Sequence, residues 1–198
     1  MFDFGEARRF LEMTIKQTNE GIFLSQVTYI GSMIRRLKME KATPIYSPMD
    51  PHVMLDNEVC KDNPADRMLY LSIVGSLMFA AFGTRPDIAF SFTALSRYNV
   101  QPLQMHLTAA KRVIRYLAAT KAKGLFYPVT SSERHLDSYT DSDWAGRTLT
   151  RKSVGEYIFT DGGPISCQAK SQSVIALSTL EAEYMAASDT TQEAIWLR

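Results

Sequence analysis

The 198 residues are 45% hydrophobic, 11% aromatic and 22% charged, a composition that excludes a disordered or collagen-like chain. Twenty-two basic residues against 21 acidic ones leave a formal charge of +1, which excludes a uniformly basic nucleic-acid coat and any polyacidic tail. At a prior of roughly 150 residues per domain, the length predicts two small domains, each burying its own core.

Met1-Phe2-Asp3-Phe4-Gly5-Glu6 has neither the basic start nor the apolar run of a signal peptide. No uncharged stretch approaches the ~20 residues that span a bilayer, so the expectation is an intracellular, cytoplasmic chain with no membrane contact. Cys60 and Cys167 lack metal-site spacing and are expected to be free thiols.

In chain order, Phe10 to Ile15 and Gly21 to Leu24 flank the polar Thr18-Asn19-Glu20-Gly21 turn and predict a hairpin. Val27, Ile30, Ile34 and Leu37 recur at helical spacing opposite Arg35, Arg36 and Lys38, and this helix should stop before Thr43-Pro44. Residues 43–65, rich in Pro, Asp and Asn, read as an irregular connection. Met68 to Ala80 is apolar nearly all round and predicts a buried helix. Thr84-Arg85-Pro86-Asp87 starts another, carrying Ile88, Phe92 and Leu95. After Pro102 comes a helix with Leu107, Ala110, Ile114 and Leu117 inward.

From Met105 to Gly124 the chain carries five basic residues, Lys111, Arg112, Arg115, Lys121 and Lys123, and no acidic one. Such a face is either solvated surface or a grip on the phosphates of a duplex. Gly124 and the polar run 130–134 mark the domain boundary. Beyond it, His135–Asp141, Ser153–Thr160 and Ile165–Ser171 read as strands, with a turn at Asp161–Pro164. A helix runs from Thr179 to the end, opened by a capping box in which Ser178 is the N-cap and Glu181 reaches back to the Ser178 N–H. His52, His106 and His135 have no partners at metal spacing and receive no role.

Asp141, Asp143 and Glu183 are the carboxylates of interest. An Asp at a strand end is commonly a turn former, and a Glu in an alanine-rich helix commonly serves helix propensity. Glu183, however, projects from a face of apolar and small side chains that should meet the sheet. A carboxylate there needs a cation, and a divalent ion shared with a strand-end Asp would supply one.

Tyr139-Thr140-Asp141-Ser142-Asp143-Trp144-Ala145-Gly146, Gly162-Gly163-Pro164-Ile165-Ser166 and Gln172 through Ala186 closely resemble the ribonuclease H region of copia-type retrotransposon Pol polyproteins. Upstream, Gly21 to Gln26, Pro48-Met49-Asp50, Gly75 to Met78, Thr84 to Ala89 and Arg115-Tyr116-Leu117 look like the stretch that follows the polymerase active site in that family. The resemblance covers nearly the whole chain. It implies an α+β or α/β fold: residues 1–125 as the late palm, thumb and connection of a reverse transcriptase, and residues 134–198 as the front of a ribonuclease H-like mixed sheet with a packed helix.

By the same resemblance, Asp141 and Glu183 match catalytic, metal-binding carboxylates, with Asp143 a weaker candidate. In the family such carboxylates hold two magnesium ions that cleave the RNA strand of an RNA–DNA hybrid. The paired aspartates of the polymerase and the two later nuclease carboxylates are absent from these residues. At most one weakly held magnesium ion and no cleavage are therefore expected from this chain alone. The alternatives are a non-catalytic nucleic-acid-binding module and an inactive relic. Glu12, Cys167 and Val154-Gly155-Glu156 depart from the family pattern, which has Gly, Trp and a Thr-Ser-Gly run there.

Overall fold

The computed structural model describes residues 5–50, 53, 55, 62–129, 135–146 and 150–198. The predicted boundary run 130–134, His52 and Cys60 lie outside them. The chain divides into two compact units, residues 1–129 and 130–198, and the architecture is mixed, with five α-helices and two antiparallel sheets among the described residues.

The first unit begins with strands β1 (Arg9–Phe10), β2 (Met13–Thr18) and β3 (Gly21–Ser25). The predicted strand from Phe10 to Ile15 is in fact two: Leu11 and Glu12 adopt φ of 45° and 60°, turning the chain so that β1 pairs with β2. Helix α1 (Val27–Arg36) ends earlier than its apolar spacing predicts, because the chain turns through Lys38 at φ 53°. Next come α2 (Arg67–Gly83), a 3-10 turn (Pro86–Ile88), α3 (Ala89–Ser96) and α4 (Gln104–Ala119).

Asp66 caps α2 by accepting from the N–H groups of Met68 and Leu69 at 2.9 and 3.2 Å, which satisfies two of the helix's otherwise orphaned donors. Ile30, Tyr70, Ile73, Leu77, Ile88, Leu95, Ile114 and Leu117 from these helices form one core. A fourth strand, β4 (Leu125–Pro128), pairs with β3 about a hundred residues earlier in the chain. Gly124, read from sequence as a boundary, serves that pairing: a Cβ there would collide with the Leu24 carbonyl.

The second unit is a three-stranded meander, β5 (Asp137–Asp143), β6 (Val154–Thr160) and β7 (Pro164–Ser171), followed by α5 (Thr179–Leu197). Ser178 is the N-cap, accepting from Glu181 N at 3.1 Å as predicted. The Glu181 carboxylate instead accepts from Leu177 N, one residue before the predicted partner, at 2.7 Å. Side-chain hydrogen bonds help hold α5 on the sheet. Gln172 Nε2 donates to the Ala182 carbonyl (2.8 Å), Thr190 Oγ1 to Thr140 Oγ1 (3.0 Å) and Ser166 Oγ to the Glu193 carboxylate (2.7 Å). Ala186 packs over Gly155. No described helix is long and apolar enough to cross a membrane.

Candidate functional site

Sequence reading draws attention to two places, the basic helix of the first unit and the carboxylates of the second. In α4, Lys111 is exposed, as are Lys121 and Lys123 just beyond its end. The two arginines are already engaged. Arg115 Nε donates to the Thr43 carbonyl at 2.7 Å, and an Arg112 Nη lies 3.5 Å from the Asp50 carboxylate. Both therefore tie the 43–50 connection to α4, and both line a cavity of about 440 Å3 together with Met49, Leu55, Met105 and Ala109.

Sequence reading passed over two polar networks in the first unit. Arg85, 1% exposed, donates to both carboxylate oxygens of Asp87 at 2.9 and 2.7 Å, and to the carbonyl and hydroxyl of Thr120 at 3.1 and 2.7 Å. The Tyr116 hydroxyl also donates to Asp87, at 2.7 Å. Burial pushes the Asp87 carboxyl up, but these donors and the Arg85 charge outweigh it and hold the group below the usual aspartate range. His106, fully buried, accepts from Leu103 N on Nδ1 (2.9 Å), so Nε2 carries the proton and donates to the Leu55 carbonyl at 2.7 Å. The signal available in sequence was an Arg and an Asp two residues apart between two apolar helical stretches, and a His three residues into α4.

In the second unit Asp141 lies on β5, exposed, with its carboxylate accepting from Ser142 N at 2.8 Å. Its register partner on β6 is Glu156, and Asp143 pairs opposite Val154. Thr140 touches α5 and Gly155 lies under Ala186, so alternation along the strands turns Asp141, Asp143 and Glu156 toward the other face. Burial, then the charges of Asp141 and Asp143, push the Glu156 carboxyl up. Glu183 is half-buried on α5.

The structure thus groups Asp141 and Asp143 with Glu156, a residue sequence reading noticed only as a departure, and sets Glu183 apart from them. Carboxylate oxygens suit magnesium, but no three His, Cys, Asp or Glu among the described residues are gathered to hold a metal ion. These residues do not fit a two-magnesium centre. Cys167 is a free thiol, raised by burial.

No protein-family model and no solved structure matches the chain. Among curated proteins, the retrovirus-related Pol polyprotein from transposon TNT 1-94 of Nicotiana tabacum is 41% identical over 207 residues, covering 100% of this chain and 15% of that protein. The one from transposon RE1 of Arabidopsis thaliana is 36% identical over 198 residues, covering 98% and 13%. The chain belongs to the copia-type retrotransposon Pol family. It spans about a seventh of the length of these Pol polyproteins. The chain is also similar to a shorter protein, the uncharacterized mitochondrial protein AtMg00810 of Arabidopsis thaliana, 33% identical over 197 residues with 99% of this chain and 80% of that protein aligned. The Pol alignments run through both units, from the hairpin of β2 and β3 to α5.

Proposed function

We propose that this Pol segment holds a nucleic-acid duplex by its backbone and carries the leading strands and helix of a ribonuclease H-like nuclease, its first unit corresponding to the thumb and connection of the polymerase. The similarity to Pol polyproteins over the whole chain supports the reading, together with an antiparallel three-stranded meander followed by a single packed helix. The substrate class is an RNA–DNA hybrid. Lys111, Lys121 and Lys123 meet phosphates without reading sequence, whereas Arg112 and Arg115 shape the segment behind them.

Because these carboxylates do not gather into a metal centre, the 198 residues by themselves leave the hybrid uncut. The experiment is cleavage of an end-labelled RNA–DNA hybrid in magnesium buffer. The chain alone gives trace product at most. The chain continued into the corresponding downstream stretch of the tobacco relative cleaves, and loses cleavage on Asp141→Asn but not on Glu181→Gln, since a glutamine still accepts from Leu177 N. Robust cleavage by the 198 residues, or a Glu181 variant worse than the Asp141 variant, would overturn the assignment.

A further inference from the structure

Helix α2 turns an uncharged face to solvent. Between Met68 and Phe82 its exposed residues are Met68, Ser72, Gly75, Met78, Phe79 and Phe82, and at 3.6 residues per turn all of them fall within an arc of about 120°. Ile73, Leu77 and Ala80, fully buried, lie on the opposite side. Met68, Met78, Phe79 and Phe82 are 76%, 44%, 38% and 71% exposed, and Ser72 carries the one polar side chain in the arc. From Met68 to Gly83 the helix has no charged residue. Neighbours fix the face in place: Tyr29 of α1 packs on Phe79 with ring centroids 4.7 Å apart, and Phe92 of α3 meets Phe82 edge-on at 5.9 Å. Beside it the rim turns polar, where Arg36 donates to Ser76 Oγ at 2.6 Å.

Gly75 stands at the middle of this face. A Cβ built there would meet nothing within 4 Å, so the position is open to solvent and a second backbone can come close. The pattern on either side is self-complementary about that point. Laid antiparallel across a copy of itself with the two Gly75 residues in contact, α2 sets Met68 against Phe82, Leu71 against Phe79 and Ser72 against Met78, each pair made twice. Ser72 leaves room for Met78, and Met68 offers its thioether to an aromatic ring. At about 200 Å2 for a side chain of this size, the four large exposed side chains put roughly 450 Å2 on each copy, within the range of a functional surface patch. Two copies bury about 900 Å2 from these alone, less than a standard stable interface, which fits a weak, concentration-dependent association. A phosphate backbone or an anionic lipid surface finds no cation on this face, whereas a second copy finds no like charge.

We propose that the outward face of α2 is a self-association surface, on which two copies of this chain cross antiparallel at Gly75 to form a weak symmetric dimer. The proposal is independent of the nuclease reading, since α2 carries none of the carboxylates.

Sedimentation equilibrium across a wide range of protein concentration tests it. The chain is expected to pass from monomer to dimer, and Gly75→Lys to weaken association about tenfold or more, because bulk and a like charge then meet at the crossing point. Lysine is a better helix former than glycine and the position is open, so the circular dichroism and melting temperature of this variant should not fall. The antiparallel pairing is read by mixing. Met68→Lys and Phe82→Glu each weaken self-association, and an equimolar mixture of the two variants recovers it as a mixed dimer, since the changed positions face one another. A chain that stays monomeric up to its solubility limit, a dimer indifferent to Gly75→Lys, or a mixture no stronger than its components would overturn the proposal. If the chain is monomeric, binding of phosphatidylserine vesicles or of an RNA–DNA hybrid that is lost on Phe82→Glu would assign the face to a lipid surface or to the duplex instead.

Discussion

The two units use burial and charge in opposite ways. In the first, four helices close over one core, and the buried Arg85 is surrounded by acceptors from Asp87 and Thr120. In the second, a single helix on three strands buries, among the described residues, only Val154, Phe159, Ala176, Ala182 and Ala186 as apolar side chains, and Asp141, Asp143 and Glu156 share a sheet face with like charge. A buried charge with a full set of partners locks a helical unit together, because removing either partner strands the other in a poor solvent. Carboxylates left side by side cost stability and hold a local negative potential, an arrangement suited to cations or to a partner that brings them.

The largest effects that separate the units come from their centres. Arg85→Met should destabilise the first unit by about 3 kcal/mol or more, since Asp87 loses its cation and Thr120 two donors. Phe159→Ala should cost about 3 kcal/mol in the second. Hydrogen exchange resolves the two: the former variant loses protection in α2 and α4 and keeps it in β5 to β7, and the latter does the reverse. Loss in both units from either change would contradict the independence of the cores.

A smaller loss, about 1–3 kcal/mol, is expected from His106→Ala, which leaves Leu103 N and the Leu55 carbonyl without their buried partner. Urea melts read by the helical signal would measure it.

Acid should also tell the units apart. With the Asp87 carboxyl lowered in the folded state, its contribution is complete above the ordinary aspartate value of about 3.9 and is lost as pH falls through the lower folded value. Acid unfolding of Asp87→Asn should lack this component, and a wild-type acid limb identical to that of the variant would remove Asp87 from the account.

The smallest effect should be a gain. Glu156→Gln removes a carboxylate directly opposite Asp141, and like charges in that position destabilise a strand pair, so the second unit should gain roughly 0.5 kcal/mol at pH 7, seen as a rise of a few degrees in its melting temperature. By contrast Lys111→Ala, Lys121→Ala and Lys123→Ala should leave both melts alone and, for a bound hybrid, reduce the slope of log K against log salt by about 0.9 for each phosphate no longer neutralised.

Much of the secondary structure was legible because it is written locally. The apolar spacing of Val27, Ile30 and Ile34 predicts α1, the Ser178–Glu181 pair fixes the start of α5, and the polar turn at 18–21 fixes the β2–β3 hairpin. The resemblance to Pol rests on contiguous motifs of the same local kind. What escaped was non-local. The pairing of β4 with β3 joins residues a hundred positions apart, and nothing in Leu125–Pro128 names its partner. The cage around Arg85 needs Thr120 from the end of another helix, 35 positions away.

The carboxylates show the same division most plainly. Residue type and motif order picked out Asp141, Asp143 and Glu183, since a sequence records which side chains exist and what family they resemble. Which of them stand together depends on strand register and on the face that α5 covers. Register puts Glu156 opposite Asp141, and alternation with period two turns both away from the helix that carries Glu183. One residue of slip would reverse those faces, and no local preference in β5 or β6 sets the register. It is set by the packing of Phe159, Gly155 and Thr140 beneath α5, which exists only once the unit has folded.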